Sequence, residues 1–205
     1  MNICILMASP RLNGNTSELC KPFIDELKLS QAKVKYIELH DKNIAACLGC
    51  GHCQDVSGEY GCSQNDDMQE ILESILPADI VVYATPIYTW QATPPLKALM
   101  DRMYGLNKFY GKAAHEVLGV PKTFALIATS GYKPDETADL LDEAIRRGCK
   151  HSGVSKYAGM YAVQDAETED RADDIKAFQT KEAMEGARAF ARRIINSYVD
   201  TFGKS

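Results

Sequence analysis

The stretch NICILMA from Asn2 to Ala8 runs straight into SPRLNGNTS from Ser9 to Ser17, a nearly unbroken apolar run followed by a polar loop. Such a run suits a strand buried on both faces of a parallel sheet, where helices cover it above and below. Pro10 and Gly14 interrupt it, and from about Thr16 apolar residues return at helical spacing, at Leu19, Phe23, Ile24 and Leu27. Strand, loop and helix in that order predict the first part of a βαβ unit.

The pattern recurs. DIVVYA (Asp79 to Ala84) and TFALIA (Thr123 to Ala128) are further buried-strand runs. KVKYIEL (Lys33 to Leu39) alternates as a strand nearer an edge does, and Ser155 to Val163 reads as a fifth strand. Helices are expected over Asp67 to Leu76, Leu96 to Leu106, Glu136 to Cys149 and the charged stretch Thr168 to Tyr198, with the run Glu167 to Asp174 a solvated helix start. Strands alternating with helices predict an α/β fold: a flavodoxin-like, doubly wound, five-stranded parallel sheet in a three-layer sandwich. At 205 residues, with no internal repeat and no linker composition, residues 1–205 are expected to form a single domain. A cysteine-rich loop interrupts it at about residues 45–66.

Composition narrows the partners. Lys and Arg number 23 against 28 Asp and Glu, a net charge of −5, which argues against nucleic acid or an anionic membrane as the main partner. No apolar run approaches the roughly 18 residues a membrane helix needs. Met1 to Ala8 lacks the basic start of a signal peptide, so the expected location is cytoplasmic.

In doubly wound sheets ligands bind beyond the carboxyl ends of the strands, near the point where the winding reverses. Three loops lie there. In the first, the coming helix N-terminus offers unpaired N–H groups to a phosphate, with hydroxyls from Ser9, Thr16 and Ser17, a charge from Arg11 and a tight turn at Gly14. The alternative is that Asn15 or Thr16 merely caps that helix. In the second, Thr85-Pro86-Ile87-Tyr88-Thr89-Trp90 carries two aromatics suited to a planar heterocycle or, equally, to ordinary packing. In the third, Thr129-Ser130-Gly131-Tyr132 joins the fourth strand to its helix. Neither a G-x-G-x-x-G fingerprint nor a Walker pattern is present.

Seven cysteines exclude a fully paired disulfide framework. Cys4, Cys20 and Cys149 are scattered and fit core positions. The other four form Cys47-x2-Cys50-x2-Cys53-x8-Cys62. Compact runs of this kind supply thiolates to iron–sulfur cubanes. Zinc, with four thiolates or with His52 replacing one, is a second reading, and reduced cysteines without metal a third. His40, His115 and His151 have no partner at motif spacing, and the adjacent Asp101 and Arg102 need not pair with each other.

The S-x-R-x-x-x-N-T-S loop, the Thr-Pro-Ile-Tyr segment and the helix carrying Leu96, Lys97, Asp101 and Arg102 together resemble the NADPH-dependent FMN reductase-like flavoproteins. With the cysteine cluster and the following Asp66-Asp67-Met68, the chain resembles their iron–sulfur flavoprotein branch over about residues 1–160. The resemblance implies that Ser9, Arg11, Asn15, Thr16 and Ser17 hold the FMN phosphate, and that Pro86 to Trp90 and Ser130 to Tyr132 flank the flavin ring. It also implies a homodimer or homotetramer, and a shorter gap before the last cysteine than the eight residues found here. The expected function is an FMN-dependent oxidoreductase of the flavin or quinone reductase type. NAD(P)H would donate electrons, a small molecule or redox protein would accept them, and Cys47, Cys50, Cys53 and Cys62 would bind a [4Fe-4S] centre. The rival is a non-enzymatic iron–sulfur flavoprotein that carries electrons between proteins.

Overall fold

A computed structural model describes residues 1–119, 122–164 and 180–202. Five strands, β1 (Asn2–Met7), β2 (Lys33–Glu38), β3 (Ile80–Pro86), β4 (Thr123–Ser130) and β5 (Lys156–Gln164), form one wholly parallel sheet in the order β2-β1-β3-β4-β5. The chain winds outward from β1 to β2, then returns past β1 to β3, so the winding reverses between β1 and β3. That is the flavodoxin-like order, and the reversal marks the ligand-binding crevice.

Side chains along a strand alternate between faces, and this sorts the core into two layers. Ile3, Ile5 and Met7 pack on α1 (Asn15–Leu29) through Leu19, Phe23 and Leu27, and on α6 (Lys181–Phe202) through Ala187, Phe190 and Ile194. Cys4, Leu6 and Ala8 face the other side. There they meet α2 (Met68–Ile75), α3 (Pro94–Arg102) and α5 (Asp139–Ser152) through residues such as Ile71, Leu96, Leu99, Leu141 and Ile145. A one-turn helix, α4 (Pro134–Thr137), precedes α5. Burial of both faces is why β1, β3 and β4 read as continuous apolar runs, whereas β2 alternates because it is an edge strand.

Three helices differ from the sequence-based expectation. The expected helix over Leu96 to Leu106 begins two residues earlier and ends at Arg102, continuing only as a 3-10 turn over Met103–Leu106. Gly105 in that turn lies so close to the cysteine loop that a Cβ on it would sit 2.8 Å from the Tyr60 ring. The expected helix from Glu136 is broken between Thr137 and Asp139. The final helix is described from Lys181, and the expected portion from Thr168 to Gln179, with the charged run Glu167 to Asp174, lies outside the described residues.

Cys4, Cys20 and Cys149 are buried in these layers, and desolvation pushes their thiols up to about 12, which keeps them protonated and unreactive. No helix among the described residues is long and apolar enough to cross a membrane.

Candidate functional site

Strand register brings the three loops together. Met7 lies opposite Ala84 and Pro86 opposite Thr129, so the chain leaves β1, β3 and β4 at one edge. Ile87 N–H then donates to Thr129 O at 2.8 Å, and the hydroxyls of Thr16 and Thr129 meet at 2.8 Å in a buried contact between the first and third loops. Between them opens a cleft of about 130 Å³. Ser9, Arg11, Gly14, Asn15 and Thr16 wall it on one side, Pro86, Ile87 and Tyr88 on a second, and Thr129, Ser130 and Gly131 on the third. Among the described residues, Arg11 is the one cation that lines it and no carboxylate does.

The first wall offers groups that could hold an anion. Gly14 holds the N-cap position of α1, with no side-chain cap hydrogen bond among the described residues, so neither Asn15 nor Thr16 is the cap residue of that helix. The first-turn N–H groups of a helix have no partner within it, and they carry its positive end. Ser9 Oγ accepts from Arg11 N–H at 3.1 Å, which fixes the turn, and Arg11 is exposed at the rim with no ion-pair partner among the described residues. Glycine is required at position 14 by closeness, since a Cβ there would stand 2.8 Å from Arg11 Cβ.

Five expected residues, Ser17, Thr85, Thr89, Trp90 and Tyr132, do not line the cleft. Ser17 is buried within α1 and its side chain does not reach the cleft. Thr85 is fully buried and its hydroxyl donates to Pro86 O at 2.8 Å, supporting the second loop from below. Trp90 is half exposed, and its indole N–H donates to Glu136 O at 3.0 Å. Tyr132 is 70% exposed, and its carbonyl accepts from Ser130 Oγ. Sequence position does not reveal which way these side chains turn. A larger apolar cavity of about 330 Å³ lies between α3 and α5, lined by Met103, Phe109, Phe124 and Cys149, and none of the three loops reaches it.

Tyr88 and Gln91 exchange backbone hydrogen bonds of 2.9 and 3.0 Å around Thr89 and Trp90, whose φ angles are +49° and +61°. Two successive positive φ values in a two-residue hairpin favour Asn-Gly, and a β-branched Thr is strained there. Thr89→Asn is expected to raise stability by about 1 kcal/mol. Urea unfolding checks this, and no gain would mean that the turn relaxes in solution.

The cysteine loop leaves the same sheet edge, from the end of β2. Cys47 and Cys50 are exposed and Cys53 and Cys62 half-buried. Among the described residues no three His, Cys, Asp or Glu side chains are arranged to hold a metal ion. Cys50 Sγ lies 3.5 Å from Ser63 Oγ, a hydrogen bond that holds its thiol below the usual range. His52 is exposed, as are His40, His115 and His151.

Two cations that sequence reading left aside support this loop. Arg102 does not pair with Asp101, which bonds Lys97 instead. It is buried and ion-pairs with Asp66, donates to Ala45 O at 3.3 Å, and approaches Cys62 Sγ at 3.4 Å. Its Nε is buried without a partner. Lys108, 2% exposed, donates to the carbonyls of Cys53, Glu59 and Tyr60. Positive groups buried beside Cys62 and Cys53 suit the charge of a metal–thiolate centre, and four cysteines as donors fit the chemistry of either a cubane or zinc. The sequence signals for Arg102 are its place at the end of an amphipathic helix and its match to the family resemblance; for Lys108 there is none.

A wholly parallel, doubly wound sheet in this strand order, with a cleft where the winding reverses, is the flavodoxin-like fold. The model of the NADPH-dependent FMN reductase family matches residues 1–141, and the chain belongs to that family. Among curated proteins, an iron-sulfur flavoprotein of Methanocaldococcus jannaschii is 37% identical over 102 residues, half of each chain. An iron-sulfur flavoprotein of Archaeoglobus fulgidus is 31% identical over 147 residues, 69% of this chain and 60% of that one. The matches thus span about half of these relatives' length. Among solved structures, an NAD(P)H:quinone oxidoreductase from Methanothermobacter marburgensis superposes with a TM-score of 0.69 at 19% identity, over 95% of this chain and 97% of that one, which supports the fold.

Proposed function

We propose that the chain is an FMN-dependent oxidoreductase that takes electrons from NAD(P)H and gives them to a small molecule or a redox protein. The observation that carries this reading is the cleft where three loops meet around the N-terminus of α1, with Arg11 at its rim. FMN, when bound, exchanges two electrons as hydride or one at a time. The chain's own residues hold and orient it. Main-chain N–H groups of Asn15, Thr16 and Ser17 and the Arg11 guanidinium would take the phosphate, with the Ser9 hydroxyl bracing the turn. Pro86 to Tyr88 and Ser130 to Gly131 would meet the ring system, and no side-chain acid, base or nucleophile is needed.

The exposed Tyr88, Trp90 and Tyr132 beside the cleft suit a homodimer or homotetramer, in which a second subunit covers them. The location that fits this chemistry is the cytoplasm. A second reading is favoured by the buried Arg102 and Lys108: Cys47, Cys50, Cys53 and Cys62 would hold a [4Fe-4S] centre, which supplies single electrons, and the protein would serve as an electron carrier. Zinc on the same thiols is the competing occupant.

Anaerobic mixing of the FMN-loaded protein with NADPH and with NADH tests the first reading. Rapid loss of the oxidised flavin absorbance with either supports it. No bleaching with either, in a protein that contains iron and sulfide, would overturn it in favour of the carrier. A protein that binds no FMN would refute both.

A further inference from the structure

The eight residues between Cys53 and Cys62 can span roughly 30 Å when extended, far more than two ligands of one metal centre require. Something must fold that segment back on itself, against the loop-closure entropy. The structure contains such a device. All three N–H bonds of the Lys108 ammonium are used, on Cys53 O at 2.6 Å, Glu59 O at 3.0 Å and Tyr60 O at 3.1 Å. One buried side chain therefore ties the residue at the start of the segment to the two residues near its end. Val56 closes on Gly61, whose φ of +65° only glycine adopts readily and whose Cβ, if present, would collide with it. Gly105 lets both ends approach one backbone, since a Cβ there would stand 3.2 Å from Cys53 Cβ and 2.8 Å from the Tyr60 ring. Outside, Glu116 holds Ser57 Oγ and Gly58 N–H. Tyr60 OH donates to Arg102 O at 3.0 Å, and Arg102 reaches Cys62 Sγ.

Resting on the metal-centre reading of the four thiols, we infer that Lys108 is the positioning residue that makes Cys62 the fourth ligand despite the long gap. A buried lysine costs desolvation, which this set of carbonyls offsets together with the Glu116 and Glu59 carboxylates, and the carbonyls belong to the segment that must be folded back. Its positive charge lies near Cys53 and would offset the negative charge of a metal–thiolate centre held there.

The test uses Co2+ on the full chain carrying FMN, stripped of other metals without oxygen, because the Co2+ bands in the red separate four-sulfur from three-sulfur coordination outside the flavin spectrum. Thiol protons pass to the buffer on binding. Wild type is expected to take one Co2+ with a four-sulfur spectrum. Lys108→Met is expected to show the three-sulfur spectrum of Cys62→Ser, with affinity lowered about 10- to 100-fold and FMN binding unchanged. Adding Lys108→Met to Cys62→Ser should then cost little more. A four-sulfur spectrum of unchanged affinity in Lys108→Met overturns the inference alone. A wild type that takes up neither iron on isolation nor Co2+ overturns the metal-centre reading beneath it. If Lys108→Met also loses FMN, Lys108→Gln decides, since it keeps two donors without the charge. Weakened four-sulfur binding supports the role of Lys108, and unweakened binding overturns it.

Discussion

Asp66→Asn is expected to lower the unfolding free energy by about 3–5 kcal/mol, the usual loss when one partner of a buried ion pair is removed. Arg102 is 3% exposed and its Nε has no partner, so among the described residues Asp66 is the carboxylate that balances its charge directly. Asp66 also accepts from Ala45 N–H at 2.9 Å and Met68 N–H at 3.1 Å, joining the start of the cysteine loop to the start of α2. Urea unfolding measures the loss, and a change below about 1 kcal/mol would show that water screens the pair as it does a surface bridge. Replacing both partners, with Asp66→Asn and Arg102→Met, should recover part of it. The same carboxylate sets an acid limit. Burial opposes its charge most strongly, but the Arg102 bond and the Ala45 and Met68 N–H groups together outweigh burial and hold its pKa below the ordinary value. A group lowered on folding stabilises above its unfolded pKa, about 3.9, and this contribution disappears as pH falls through the lower folded value. Stability of the wild type should therefore fall in that acid range by more than that of Asp66→Asn.

Arg11→Ala is expected to weaken FMN binding by about 1.5–3 kcal/mol, or roughly 10- to 150-fold in Kd, the value of a hydrogen bond to a charged group. Among the described residues, no carboxylate lines the cleft at whose rim the guanidinium sits, and no ion-pair partner would compete for it. The fold should be unaffected, because Arg11 is exposed and the turn is held by its backbone N–H on Ser9 Oγ and its carbonyl on Gly14 N–H. Flavin fluorescence quenching on titration reads the Kd. A Kd within twofold of wild type would remove Arg11 from the phosphate site, and leave the neutral main-chain N–H groups at the start of α1 to hold the phosphate.

The sheet was legible in the sequence because strands covered on both faces need unbroken apolar runs, and Ile3 to Ala8 and Ile80 to Ala84 have them. Convergence of the three loops followed from parallel topology, in which every strand ends at the same edge. Side-chain direction was not legible. Ser17 belongs to the phosphate-loop motif, yet one helical step turns it from the cleft, and Trp90 is fixed by a carbonyl 46 residues away. The supports of the cysteine loop were hidden for a different reason. Lys108 bonds carbonyls 48 to 55 residues distant, and a backbone carbonyl leaves no trace in residue type. Arg102 lay in view beside Asp101, but its partner Asp66 is 36 residues earlier.

The division of the cysteines between layers and loop gives the molecule a built-in counter. Three thiols, at Cys4, Cys20 and Cys149, are shut inside the sandwich, while the other four all belong to one surface segment. An alkylating reagent applied to the native chain then has at most four targets, and gains the remaining three when the sandwich opens. Mass increments after a timed pulse would report occupancy of the loop and integrity of the core from the same sample, without a probe or a label engineered into either.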